Sequence, residues 1–130
     1  MRKINKIILH CSATREGKPF TIDDIRRWHK ERGWKDVGYH YVIHLDGSVH
    51  AGRAESVIGA HCKGYNRNSI GICYIGGLTA DGAFPKDTRT IAQKHSMKRL
   101  IEELQTRYPG ATVHGHNEFA AKACPGFKVN

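Results

Sequence analysis

The spacing of hydrophobic and polar positions changes several times along the chain, and each change marks an element. KIILHC, residues 6–11, sets three consecutive aliphatic side chains before His10 and predicts a first strand. Thr21-Ile22-Asp23-Asp24 resembles a capping box, with the Thr21 hydroxyl placed to accept a backbone N–H of the first turn. Ile22, Ile25 and Trp28 then recur every third residue, so a helix should run to about Arg32 and stop at Gly33. GYHYVIHL and SVHAGR predict two strands around a two-residue Asp46-Gly47 turn. SIGICYIGG is nearly continuous in apolar residues, the pattern of a central strand covered on both faces.

Residues 76–87, with three glycines and a proline, read as an exposed loop. From Thr88 to Tyr108, the residues Ile91, Met97, Leu100, Ile101, Leu104 and Tyr108 fall on one helical face, and Pro109-Gly110 ends that helix. ATVHGH is a last short strand. The order β-α-β-β-β-α-β predicts a single α/β domain over 1–130, a central mixed β-sheet flanked by helices.

Composition narrows the function classes. Hydrophobic residues make up 39% and charged residues 25%, as in ordinary globular domains rather than disordered chains. No apolar run is long enough to span a bilayer, so membrane insertion is not expected. A signal peptide carries an apolar stretch of about 7–15 residues. Here only Ile7, Ile8 and Leu9 are consecutive, which predicts synthesis in the cytoplasm without an export signal. The formal charge of +9 favours an anionic partner, whether nucleic acid, a membrane surface or an acidic polymer such as a bacterial wall. The basic residues are dispersed and no run interleaves them with aromatics, so nucleic acid is not the expected partner. The four cysteines form no CxxC pair, and reduced thiols are the default; whether Cys11 and Cys62 pair is left open.

Histidine is the distinctive residue, with nine in the chain. His29 and His95 lie on the helices and are expected at the surface or its boundary, while His44 and His50 flank the hairpin turn and are expected to be solvated. His10 stands at the end of the first strand. His114 and His116 alternate along the last strand, a spacing that would point both to one face. Cys124 follows eight residues after His116, across a loop long enough to fold back. Two imidazoles and one thiolate meet the ligand requirement of a catalytic zinc site with one open position. The spacing lacks the two close ligand pairs of structural zinc motifs, so by itself it leaves a metal site and a polar tail both open.

HCSAT, RRWHKERGWKDVGYHYVI, DGSVHAGR, GAHCKGYNRNSIGICYIGG and HNEFAAKACPGF occur in that order. Together they resemble the zinc-dependent N-acetylmuramoyl-L-alanine amidases of the phage lysozyme type, relatives of the animal peptidoglycan recognition proteins. The resemblance runs from Ile7 to Phe127 and implies the fold of that family. It implies a zinc ion (Zn2+) on His10, His116 and Cys124, with His116 rather than His114 selected by counting back from the cysteine. It implies catalytic roles for Tyr39 and Lys122, and it places Arg53, His61 and Asn66 in loops that face substrate. The implied reaction is hydrolysis of the amide between N-acetylmuramic acid and L-alanine of bacterial peptidoglycan, by a monomer acting on the cell wall after release. Asn117 stands where close phage relatives often carry another histidine, which is not a ligand position, and Cys62 replaces a more usual small residue. The family also contains peptidoglycan-binding modules that do not cut, generally without the cysteine ligand, and phage amidases that regulate an RNA polymerase through a longer N-terminal segment. The presence of His10, Tyr39, His116 and Cys124 favours the enzyme.

Overall fold

The structure, a computed structural model, describes residues 2–129. Five strands form the main sheet: β1 (Lys6–Cys11), β3 (Tyr41–Ile43), β4 (Val49–Ala51), β5 (Ser69–Tyr74) and β7 (Thr112–Gly115). Their spatial order is β4-β3-β5-β1-β7. β1 runs parallel to both β5 and β7, β3 runs parallel to β5, and only β3 and β4 are antiparallel, so the sheet is mixed. The apolar run SIGICY is β5, buried along its whole length at the centre of the sheet. Cys73 within it is a fully buried small side chain, and all four cysteines are free, Cys11 and Cys62 included.

Helices α1 (Ile22–Glu31) and α2 (Ile91–Arg107) cover opposite faces. Ile7, Leu9, Ile70, Ile72 and Tyr74 pack with Met97, Leu100 and Leu104 of α2. Val42, Cys73 and Ile75 pack with Ile22 and Ile25 of α1. His10 is in register with Cys73, and Cys73 with Val42, which puts His10 on the α1 face. At the start of α1 the Asp24 carboxylate accepts the Thr21 N–H at 2.8 Å, the reach-back half of the box, and His44 Nε2 accepts the next N–H, from Ile22, at 2.9 Å. His44 is therefore half-buried and stacked on His50 at 3.8 Å between ring centroids, rather than simply solvated.

Three further expectations are corrected. The hairpin closes with a three-residue loop, Leu45-Asp46-Gly47, bridged by His44 N–H to Ser48 O at 2.9 Å. Asp46 Oδ1 accepts the Ser48 N–H and hydroxyl, and only Gly47 takes a positive φ, +86°. The expected loop at 76–87 contributes β6 (Gly77–Leu78), which pairs in parallel with β2 (Thr14–Arg15). On α2, Ile91 is 77% exposed while Gln93 is fully buried. Gln93 completes the Thr90 capping box and donates Nε2–H to the carbonyls of Ile43 and Ile75, a polar duty that a hydrophobic pattern does not reveal. Among the described residues no helix is long and apolar enough to cross a membrane.

Candidate functional site

Leu9 of β1 is level with Gly115 of β7, so His10 and His116 leave the two parallel strands side by side. Their ring centroids lie 4.7 Å apart. Cys124 returns on the loop after a 3₁₀ turn (His116–Glu118), and its Sγ lies 3.8 Å from His10 Nδ1. One ligand atom from each of His10, His116 and Cys124 falls within 4.8 Å of the others, a group able to hold a metal ion. The returning loop is tied down: Cys11 N–H donates to Cys124 Sγ at 3.2 Å, and the Tyr74 hydroxyl donates to Pro125 O at 2.6 Å.

His114 takes no part. β7 ends at Gly115 because the Glu118 carboxylate accepts the Gly115 N–H at 2.7 Å and starts a tight turn. Gly115 is still extended and His114 is level with Ile8, so the two side chains share a face as expected, one step apart along it. His114 instead pairs with Glu118 through Nδ1 at 2.9 Å and with the Thr112 hydroxyl through Nε2 at 2.6 Å.

Behind the cluster, His10 Nε2 lies 2.8 Å from His61 Nδ1, and His61 Nε2 lies 3.2 Å from Ser69 Oγ. Asn66 Oδ1 accepts the N–H groups of His61 and Cys62 at 2.9 and 2.8 Å, which fixes the loop carrying His61. Arg53 donates to Val37 O at 2.9 Å and to Ile58 O at 3.0 Å, bracing the wall from outside the groove. Burial, then the neighbouring His61, His116 and Lys122, hold His10 well below the usual imidazole range. Burial and Lys122 also lower His116, and burial takes His61 down to about 3. Neutral imidazoles are what a cation needs as ligands. Hydrogen bonding to the Cys11 thiol, together with burial, pushes the Cys124 thiol up; a bound cation reverses this by holding the thiolate.

The cluster opens into a cavity of ≈ 880 Å³ lined by Trp28, Arg32, Trp34, Lys63 and Phe119, together with Tyr39, His61, Asn66 and Lys122. The Tyr39 ring sits 5.1 Å from that of His10. Burial, then the nearby thiols of Cys73, Cys124 and Cys11, raise the Tyr39 hydroxyl well above its usual range, so it keeps its proton and is able to donate it in a hydrogen bond. Lys122 is exposed at the rim and near enough for its charge to act on both His10 and His116.

His29, expected at the surface or its boundary, is 6% exposed. Its Nδ1 accepts the Gly38 N–H at 2.8 Å, and its ring packs against Trp34 and Tyr39, so it organises the segment that carries both. The position one after Trp28 gave no sign of this, because the partner backbone lies beyond the end of the helix.

The chain matches the N-acetylmuramoyl-L-alanine amidase family over residues 1–127. It is 49% identical over 123 residues to the endolysin of Escherichia phage T7, an alignment covering 95% of this chain and 81% of that protein. Among solved structures it is similar to an N-acetylmuramoyl-L-alanine amidase of Clostridium intestinale, with a TM-score of 0.82 and 28% identity over 98% of this chain and 79% of that one. It is also similar to a Drosophila PGRP-LB variant in complex with tracheal cytotoxin, with a TM-score of 0.81 and 28% identity over 99% of this chain and 79% of the other.

Proposed function

This chain belongs to the N-acetylmuramoyl-L-alanine amidase family and is an enzyme that hydrolyses peptidoglycan amide bonds, and from that premise we propose that His10, His116 and Cys124 hold a zinc ion at its centre. The observation that carries the proposal is the convergence of two neutral imidazoles and one cysteine sulfur at the end of two adjacent parallel strands. Imidazole nitrogen and thiolate sulfur are both zinc ligands, and three of them leave the fourth position open, as catalytic zinc sites do. When bound, the ion supplies net positive charge that polarises the scissile carbonyl and makes water a competent nucleophile near neutral pH.

The chain's own residues do the rest. Tyr39 keeps its proton and donates a hydrogen bond to the carbonyl oxygen as negative charge develops on it. Lys122, at the rim, adds a positive charge on the same side. The aromatic faces of Trp28 and Trp34 and the basic side chains of Arg32 and Lys63 give the groove the character to take a muramyl stem peptide with its carboxylates. His61 and Asn66 line this groove, but both His61 ring nitrogens and the Asn66 Oδ1 engage the protein, so we assign them, with Arg53 behind, to shaping the wall. The enzyme acts on the cell wall as a monomer.

The test is release of stem peptides from purified walls by the protein as isolated, after chelation, and after zinc is restored. Release is expected to vanish with the metal and return with it. Undiminished release by the fully metal-free protein would overturn the proposal.

A further inference from the structure

We propose that His61 is a positioning residue whose ring fixes His10 in the tautomer that presents Nδ1 to the metal; this rests on the zinc reading above. His10 has two ring nitrogens and two neighbours. Nδ1 faces Cys124 Sγ at 3.8 Å, and Nε2 faces His61 Nδ1 at 2.8 Å. A ligating nitrogen must be free of its proton, so the proton belongs on Nε2 and is donated to His61 Nδ1. His61 then carries its own proton on Nε2 and donates it to Ser69 Oγ at 3.2 Å. With His10 Nδ1 kept free for the metal, the chain of three groups has one arrangement of protons, running from His10 through His61 to Ser69.

Nothing nearby competes for it. The adjacent His40 ring has both nitrogens engaged, Nδ1 accepting the Gly71 N–H at 3.0 Å and Nε2 donating to Val57 O at 2.8 Å. The seat for the His61 ring is cut to shape by two glycines. A Cβ on Gly71 would lie 2.6 Å from His61 Cγ, and one on Gly59 would lie 2.7 Å from His61 Cδ2. Asn66 fixes the backbone at 61 and 62, and Arg2, ahead of the first strand, holds the same loop through Glu55 O and Asn66 O. A neutral imidazole behind the ligand also has a chemical consequence. A carboxylate there would push negative charge into the site, whereas His61 orients His10 and leaves the cation's positive charge for the substrate oxygen.

Three variants and two readouts test this. Zinc affinity is measured by chelator competition, and the His10 tautomer is read from ring ¹⁵N shifts of the metal-free protein. His61→Leu is expected to weaken zinc about 10–100-fold and to let His10 populate both tautomers. His61→Asn, whose Oδ1 sits near the place of Nδ1, should restore affinity to within a few-fold of wild type and keep the proton on Nε2. Ser69→Ala leaves the ring in place and should weaken zinc a few-fold, which keeps the test open if His61→Leu does not fold. Unchanged affinity and tautomer in His61→Leu, or in Ser69→Ala where the former does not fold, would overturn the proposal. So would a rise in KM with zinc affinity intact, the signature of a substrate contact. Failure of the zinc reading itself looks different: wild type would take up no zinc, while the tautomer in the metal-free variants still judges His61.

Discussion

The backbone N–H of Cys11 donates to the sulfur of Cys124 at 3.2 Å, across 113 positions of sequence. The strand that presents the first proposed ligand thereby also stabilises negative charge on the last. Cys124→Ala removes a ligand and leaves the Cys11 N–H without its partner at a half-buried site. Zinc affinity is expected to fall by more than about 10²-fold, beyond the range for outer-shell residues. The metal-free variant should lose no more than about 1 kcal/mol, since the side chain is not in the deep core. Metal analysis beside wild type checks it; equal zinc content in the two proteins is incompatible with Cys124 as a ligand.

Tyr39→Phe deletes one hydroxyl from the groove and leaves the ring against His10 and His29. A donor aimed at a developing oxyanion is worth about 10²–10³ in rate. The expected result is a fall of that size in kcat, with KM within a few-fold and zinc content unchanged. Lys122→Met, at the exposed rim, should act in the same direction and more weakly. A change confined to KM in both variants would assign them to binding instead.

The main sheet and both helices were legible in the sequence because their hydrophobic periods are strong: β1 and α1 fall within about a residue of expectation, and β5 begins where its apolar run begins. What periodicity could not show were decisions made by polar side chains. Glu118 ends β7 and engages His114, Gln93 takes the buried place that an apolar pattern gave to Ile91, and Asp46 sets the hairpin loop. The metal cluster behaved similarly. Spacing offered His114 and His116 equally, and family resemblance chose between them, while the register of Leu9 with Gly115 explains physically why His116 meets His10. His61 works through His10, 51 positions away, and His29 through Gly38, beyond the end of its helix, and no local motif announces either.

Two histidines remote from the proposed ligands link stability to acid. Burial first, with nearby arginines adding to it, lowers both His29 and His40 to about 4. Both are neutral when folded and accept a backbone N–H on Nδ1, so the unfolded chain binds protons that the folded chain refuses. The stabilisation is complete above the unfolded value of about 6.5 and is lost as pH falls towards 4. Each group contributes about 1.4 kcal/mol per pH unit inside that window, so the pair should give a slope near 3 kcal/mol per unit. Denaturant unfolding of the metal-free protein at pH 7, 6 and 5 measures a slope at least this steep, because His10, His61, His116 and His44 are lowered as well and add in the same direction. A stability that stays flat from pH 7 to 5 would contradict the buried neutral state of both rings.

Gly71 sits in the middle of the central strand, and its lack of a side chain is a requirement of the His61 ring above it. A Cβ there would stand 2.6–2.8 Å from His61 Cγ, Cδ2 and Nδ1, the last being the atom that faces His10. The ring cannot retreat freely, because Gly59 also crowds it at Cδ2 and Asn66 holds its backbone. Gly71→Ala should therefore cost about 1–3 kcal/mol, as overpacking does in a filled interior. It should also weaken zinc in the manner of His61→Leu, since the ring must leave its hydrogen bond to His10. Gly110→Ala is the matched control: an added Cβ there meets nothing within 4 Å, and both stability and zinc affinity should hold. If Gly71→Ala matched Gly110→Ala in both measurements, the seat would be looser than these distances require, and the ring would be free to shift without consequence for His10.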